Sequence, residues 1–119
     1  MGDLSDLRWA IQNGELEKVK SLMESNSVAA TERISGRPLL CIAADYGHID
    51  VIDYLIQKGA VVDQADQHGI TPLLSAIFED HQKCAEFLIS KGANKEGKTP
   101  DGSKYIDVAE SEFMKNLLK

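Results

Sequence analysis

The chain has no excess of positive charge: 13 Lys and Arg stand against 19 Asp and Glu, a formal net charge of −6 over 119 residues. That balance argues against a non-specific grip on nucleic-acid phosphates and favours a basic partner surface. Long apolar runs are missing as well. The longest, Leu39-Leu40-Cys41-Ile42-Ala43-Ala44, falls far short of the ~18 residues that suggest a membrane span. The N-terminus has neither a basic start nor an apolar stretch of signal length, and Asp3 and Asp6 oppose export. Met1-Gly2 opens like an acylation motif, but Asp6 stands where that motif requires Ser or Thr. Cysteine is scarce: Cys41 and Cys84 form no Cys-x-x-Cys pair, so two free, partly buried thiols are expected rather than a disulfide. A single soluble domain follows, too small for a barrel enzyme.

Catalytic signatures are absent too. No Gly-rich phosphate loop precedes a helix, and neither His-Glu-x-x-His nor Gly-x-Ser-x-Gly occurs. His48 and His81 are better read as histidines at equivalent structural junctions than as metal ligands or bases, and His68 as a solvated turn residue. Asp63, Asp66, Glu96 and Asp101 flank two turns without the twelve-residue calcium loop, so turn capping accounts for them. No cofactor or metal is expected, and a small hydrolase with an unrecognised site is the rival from another class.

What the sequence does contain is itself, displaced. Gly36, Gly69 and Gly102 recur at a spacing of 33 residues. The same shift places Ala43 on Ala76, His48 on His81, and Lys58-Gly59-Ala60 on Lys91-Gly92-Ala93. Shifted backwards, Leu7, Ala10, Gly14 and Leu22 fall on Leu40, Ala43, Gly47 and Leu55, which adds a diverged copy at the N-terminus. Four repeats result, at about 3–35, 36–68, 69–101 and 102–119, within one domain of residues 1–119.

Each copy reads as two helices. Leu40, Ala43, Ala44 and Leu73, Ala76, Ile77 recur at i, i+3 and i+4, the stripe of a short helix that packs closely. Thr71 before Pro72 supplies an N-cap oxygen followed by a residue whose missing N–H costs nothing at the first helical position. Ile49, Ile52, Leu55, Ile56 and Cys84, Ala85, Leu88, Ile89 mark second helices, closed by Gly59 and Gly92 behind Lys58 and Lys91. Residues 60–69 and 93–102 are polar turns. Such a pair cannot bury its apolar face alone, so the units stack in one file with irregular ends. In the first unit Asn26 takes the place of the C-cap glycine, and the fourth is expected to have a shortened link between its helices.

If those stripes face inward, the opposite face of the first helices carries Trp9, Gln12 and Asn13, then Ile42, Asp45 and Tyr46, then Ser75, Phe78 and Glu79. Stacking aligns these triplets into one strip. Aromatic and apolar side chains beside carboxylates on an outward face fit a protein-binding surface better than a solvated one.

Gly69-Ile70-Thr71-Pro72-Leu73-Leu74-Ser75-Ala76, together with Gly47-His48-Ile49-Asp50-Val51-Ile52-Asp53-Tyr54-Leu55-Ile56-Gln57-Lys58-Gly59-Ala60, resembles the ankyrin repeat. The resemblance spans nearly the whole chain and implies an all-α solenoid of four stacked helix-turn-helix repeats. Pro38-Leu39-Leu40-Cys41 and Thr71-Pro72-Leu73-Leu74 lack the family's usual His, and Asp80 replaces a usual Gly. Trp9-Ala10-Ile11-Gln12-Asn13-Gly14-Glu15-Leu16, Ala43-Ala44-Asp45-Tyr46-Gly47, Ile70-Thr71-Pro72-Leu73-Leu74-Ser75-Ala76 and Ser90-Lys91-Gly92-Ala93 are similar to a free-standing, four-repeat group within that family. That likeness implies a non-catalytic protein that binds heterodimeric actin capping protein and blocks its access to filament barbed ends; Rel-type transcription factors are the alternative partner. It also implies a monomer of the cytoplasm and nucleus with no nucleic-acid or membrane partner. In that reading Trp9, Gln12, Asn13, Ile42, Asp45, Tyr46, Phe78 and Glu79 contact the partner, the carboxylates meeting Lys or Arg.

Overall fold

The computed structural model describes residues 4–119. Met1, Gly2 and Asp3, on which the acylation reading and part of the export reading rest, lie outside the described residues. The helices α1 (Ser5–Gln12), α2 (Leu16–Ser25), α3 (Leu39–Tyr46), α4 (Ile49–Gln57), α5 (Pro72–Phe78), α6 (Gln82–Ser90), α7 (Tyr105–Val108) and α8 (Glu112–Leu117) form four successive pairs. A small hairpin, β1 (Arg33–Ile34) and β2 (Arg37–Pro38), stands between the first pair and the second. First helices pack on first helices (α1 on α3, α3 on α5, α5 on α7) and second helices follow in a parallel layer. The result is elongated, 43 × 24 × 20 Å.

Small side chains explain the closeness of the first layer. Ala10, Ala43, Ala44 and Ala76 are fully buried, allowing neighbouring helices to approach backbone to backbone. Between the layers lie Ile11, Leu40, Ile52, Leu55, Leu73, Ile77 and Leu88, each with essentially no exposed surface. Burying an aliphatic side chain of this size contributes about 1.5–3 kcal/mol. Helix α3 is the extreme case: Leu39 through Ala44 are all buried, because it has a neighbour on each side and α4 beneath.

The ends of the helices follow the local chemistry. Thr71 accepts a hydrogen bond from the Leu74 N–H at 3.2 Å, with Pro72 opening the helix. Ser111 does the same for α8 through the Met114 N–H, a cap that the repeat pattern does not show. At the other ends, the Ala60 and Ala93 N–H groups reach back to the carbonyls of Leu55 and Leu88, and Gly59 and Gly92 take the positive φ this closure needs. In the first unit the expectation shifts by one residue. Helix α2 has ten residues where α4 has nine, so Asn26 keeps a negative φ, its amide donating to the Leu22 carbonyl, and Ser27 adopts φ +54°.

The fourth unit also differs from expectation. Its inter-helix link is not shortened; its first helix is, with four residues in α7 against eight in α3. The hairpin adds a minor β feature to an otherwise helical chain. Ser35 and Gly36 both have positive φ, the two-residue turn whose twist matches paired strands.

Candidate protein-binding site

Histidine places one repeat against the next. His48 Nε2 lies 2.8 Å from the Gln12 carbonyl oxygen, and His81 Nε2 lies 2.8 Å from that of Asp45. A carbonyl only accepts, so Nε2 carries the proton in both. Each ring lies over a glycine of the preceding unit: a Cβ on Gly14 would sit 2.6 Å from His48, and one on Gly47 2.9 Å from His81. Asp80 holds the equivalent position at φ +53°. No histidine follows one repeat later; Ser111 donates to its carboxylate at 2.8 Å instead. The Gly-to-Asp departure is thus matched by a change in its partner.

Arg37, on β2, joins the second repeat to the third. Its Nη1 pairs with Asp45 on α3, its Nε donates to Asp66 at 3.1 Å, and its Nη2 donates to Ser75 Oγ on α5 at 3.1 Å. Burial works against the Arg37 charge, but Asp45 and Asp66 more than offset it, and its pKa is raised. Asp66 is nearly inaccessible; burial pushes its pKa up, while the Ile70 and His68 N–H groups and Arg37 outweigh that and leave it lowered. Asp66 therefore caps its turn, as Asp101 does for Thr99 and Ser103.

The strip read from the sequence is only partly assembled. Trp9, Tyr46 and Phe78 are each about half exposed, at 50%, 49% and 47%. Gln12, Ile42, Asp45 and Tyr46 line one groove of about 270 Å³ together with Arg8, Arg37 and His68. Asp45, Tyr46 and Glu79 border the next, of about 460 Å³. Trp9, Asn13 and Phe78 line neither groove. Trp9 instead stacks under the Lys18 ammonium, 5.1 Å from its ring centre, and Asn13 donates to the Trp9 carbonyl.

Two expectations about this face require correction. Ile42 is 4% exposed and Ser75 is 2% exposed. The hairpin covers this side of the first helices, so Ile42 forms the floor of the groove and Ser75 lies under the Arg37 guanidinium. Asp45, read as a carboxylate for partner cations, is already paired within the chain. Glu79 is exposed and, among the described residues, has no such cation. Arg8, Arg37 and His68 were missed because they belong to α1 beside the triplet, to β2 and to a turn, outside the positions the outward face supplies.

Both thiols are buried in the core. Burial pushes Cys41 up to about 12 and Cys84 to about 11, and both are free. Among the described residues, no group of three or more His, Cys, Asp or Glu could hold a metal ion, and no helix is long and apolar enough to cross a membrane.

Stacked helix pairs joined by protruding turns, with exposed aromatics on the first helices, define a helical-repeat solenoid of the kind that presents one long face to other proteins. The chain belongs to the ankyrin-repeat family: the family described as ankyrin repeats (3 copies) matches residues 7–99. Protein phosphatase 1 regulatory subunit 27 of Homo sapiens is 31% identical over 104 residues, 87% of this chain and 68% of that protein. Its Mus musculus counterpart matches with the same identity and coverage. Among solved structures, the chain is similar to one in the complex of a predatory endopeptidase from Bdellovibrio bacteriovorus with an immunity protein. The TM-score there is 0.87 at 25% identity, covering 98% of this chain and 63% of that one.

Proposed function

We propose that this chain is a non-catalytic binding module that, like myotrophin, holds heterodimeric actin capping protein off filament barbed ends. The observation that carries the reading is the set of Trp9, Tyr46 and Phe78, half exposed on three successive first helices. Aromatic anchors supply large contact area at small entropic cost, and a few such residues dominate the energy of most interfaces. Glu79 and the net charge of −6 suit a basic partner, chiefly by speeding encounter. The similarity to myotrophin rests on the sequence segments at residues 9–16, 43–47, 70–76 and 90–93. Occlusion is the mechanism: a bound solenoid masks the surface that capping protein turns toward the filament.

The test is elongation of actin from filament seeds in the presence of capping protein. Adding the chain should restore growth, and Trp9→Ala should weaken that effect by about 2 kcal/mol or more of binding energy while changing stability by within about 1 kcal/mol. Growth that stays blocked at saturating chain would overturn the reading. A loss of melting temperature in Trp9→Ala with unchanged activity would make Trp9 a packing residue of the first unit. The relatives named as phosphatase regulatory subunits favour a second reading, in which the partner is a protein phosphatase. Purified protein phosphatase 1 and a Rel-type transcription factor, offered separately to the immobilised chain, distinguish these partners from capping protein.

A further inference from the structure

The acidic character of the chain does not extend to its last quarter. Residues 1–90 carry seven cations against fourteen carboxylates, whereas residues 91–119 carry six lysines against five carboxylates. Three of those lysines, Lys95, Lys98 and Lys104, line one pocket of about 390 Å³, with Ile106 and Leu118 as its apolar part and Glu96 among its walls. One 33-residue period earlier, the corresponding positions hold Val62, Ala65 and Thr71, so the charge is specific to this turn.

The backbone forces two of the charges together. Lys98 and Lys104 face each other across an antiparallel bridge, which places their side chains on one face at neighbouring positions. Like charges directly opposite one another destabilise such a pair. The ion pairs among the described residues are Lys20 with Glu17 and Arg37 with Asp45 and Asp66, so neither Lys98 nor Lys104 is paired with a carboxylate of those residues. Lys95 is oriented differently, donating to the Lys119 carbonyl at 2.9 Å. The turn is also built to a tight tolerance. A Cβ on Gly97 would sit 2.8 Å from the Tyr105 ring and hydroxyl, and that hydroxyl is anchored at 2.9 Å to Thr71 Oγ1. The two exposed lysines therefore project from a braced turn.

We propose that this pocket docks an acidic, extended peptide segment of a partner protein. One carboxylate lies between Lys98 and Lys104, and an adjacent apolar side chain rests on Ile106 and Leu118. Bound carboxylate supplies the counter-charge that the bridge lacks. The apolar wall and the absence of an Arg fork favour a peptide over a bare phosphate, which Arg would grip bidentately. Glu96 sets the direction, repelling acidic residues from its side of the pocket. This surface lies where the third repeat passes into the fourth, apart from the strip of Trp9, Tyr46 and Phe78, and its occupation does not depend on that strip.

The experiment uses the whole chain, isotope-labelled for NMR, titrated with acetyl-Glu-Glu-Leu-Glu-Glu-amide, with the all-Gln peptide of the same length and with inorganic phosphate. The acidic peptide should shift the amides of residues 97–98, 104–106 and 118, and the Gln peptide should not. Lys98→Gln with Lys104→Gln should weaken binding about five- to tenfold and leave the melting temperature equal or higher, because a repulsion is removed. The single change Lys98→Glu, which turns the like pair into an opposite one, should raise the melting temperature and abolish binding. Shifts elsewhere, equal affinity in the double variant, equal shifts from phosphate alone, or a lower melting temperature in either variant would each overturn the proposal.

Discussion

At the scale of single residues, Arg37 has the most varied set of partners. Its guanidinium is shared among Asp45, Asp66 and Ser75, three groups from two repeats, so removing one partner leaves a half-buried charge less well compensated. Asp66 adds a pH signature. Its pKa in the fold lies below its ordinary value of 3.8, so the stability it contributes is complete above that value and is lost as pH falls through the folded value. Asp66→Asn should therefore cost about 1–3 kcal/mol at neutral pH. The gap from the parent chain should be constant above about pH 5 and narrow below about pH 4. Urea unfolding at a series of pH values measures it; a gap that widens on acidification contradicts the assignment.

At the scale of elements, the junction between one helix pair and the next depends on a glycine and a histidine acting together. Gly47 has φ +74°, and its missing Cβ makes room for the His81 ring that donates to the Asp45 carbonyl. Gly47→Ala should cost about 1–3 kcal/mol from the left-handed backbone, plus a further amount from displacing the ring. The two contributions separate in a double-mutant cycle with His81→Ala: the alanine at 47 should cost less once the imidazole is gone. Strict additivity in urea unfolding would show that the ring and the glycine are independent.

At the scale of the whole molecule, stability is a sum over stacked units, with each pair buried against the next. Leu55, fully buried on α4, lies in the middle of that stack. Leu55→Asp should cost at least about 4 kcal/mol and unfold the chain, because an unpaired carboxylate enters the core. Deleting residues 36–68 removes one full period and should leave a shorter helical stack that melts at a lower temperature. Circular dichroism of the two variants decides the matter. A folded Leu55→Asp chain, or a deletion with no helical signal, would contradict the additive picture.

The sequence by itself determined the period, the helix pairs and most of their ends. Thr71-Pro72, Gly59 and Gly92 act through bonds to residues within one turn, so their roles were legible from spacing alone. The inward stripes were legible for the same reason, since a periodicity of i, i+3 and i+4 fixes which residues share a helix face. Tertiary structure decided what lies over the other face. Ile42 and Ser75 are outward with respect to the core stripe yet buried, because the hairpin and Arg37 close over them from other segments of the chain. Asp45 looked available for a partner until the fold brought Arg37 to it. The opposed pair of Lys98 and Lys104 likewise exists only because the turn folds back on itself. Helical periodicity is a local property of the backbone, whereas exposure and charge pairing depend on neighbours that only the stacking of repeats supplies.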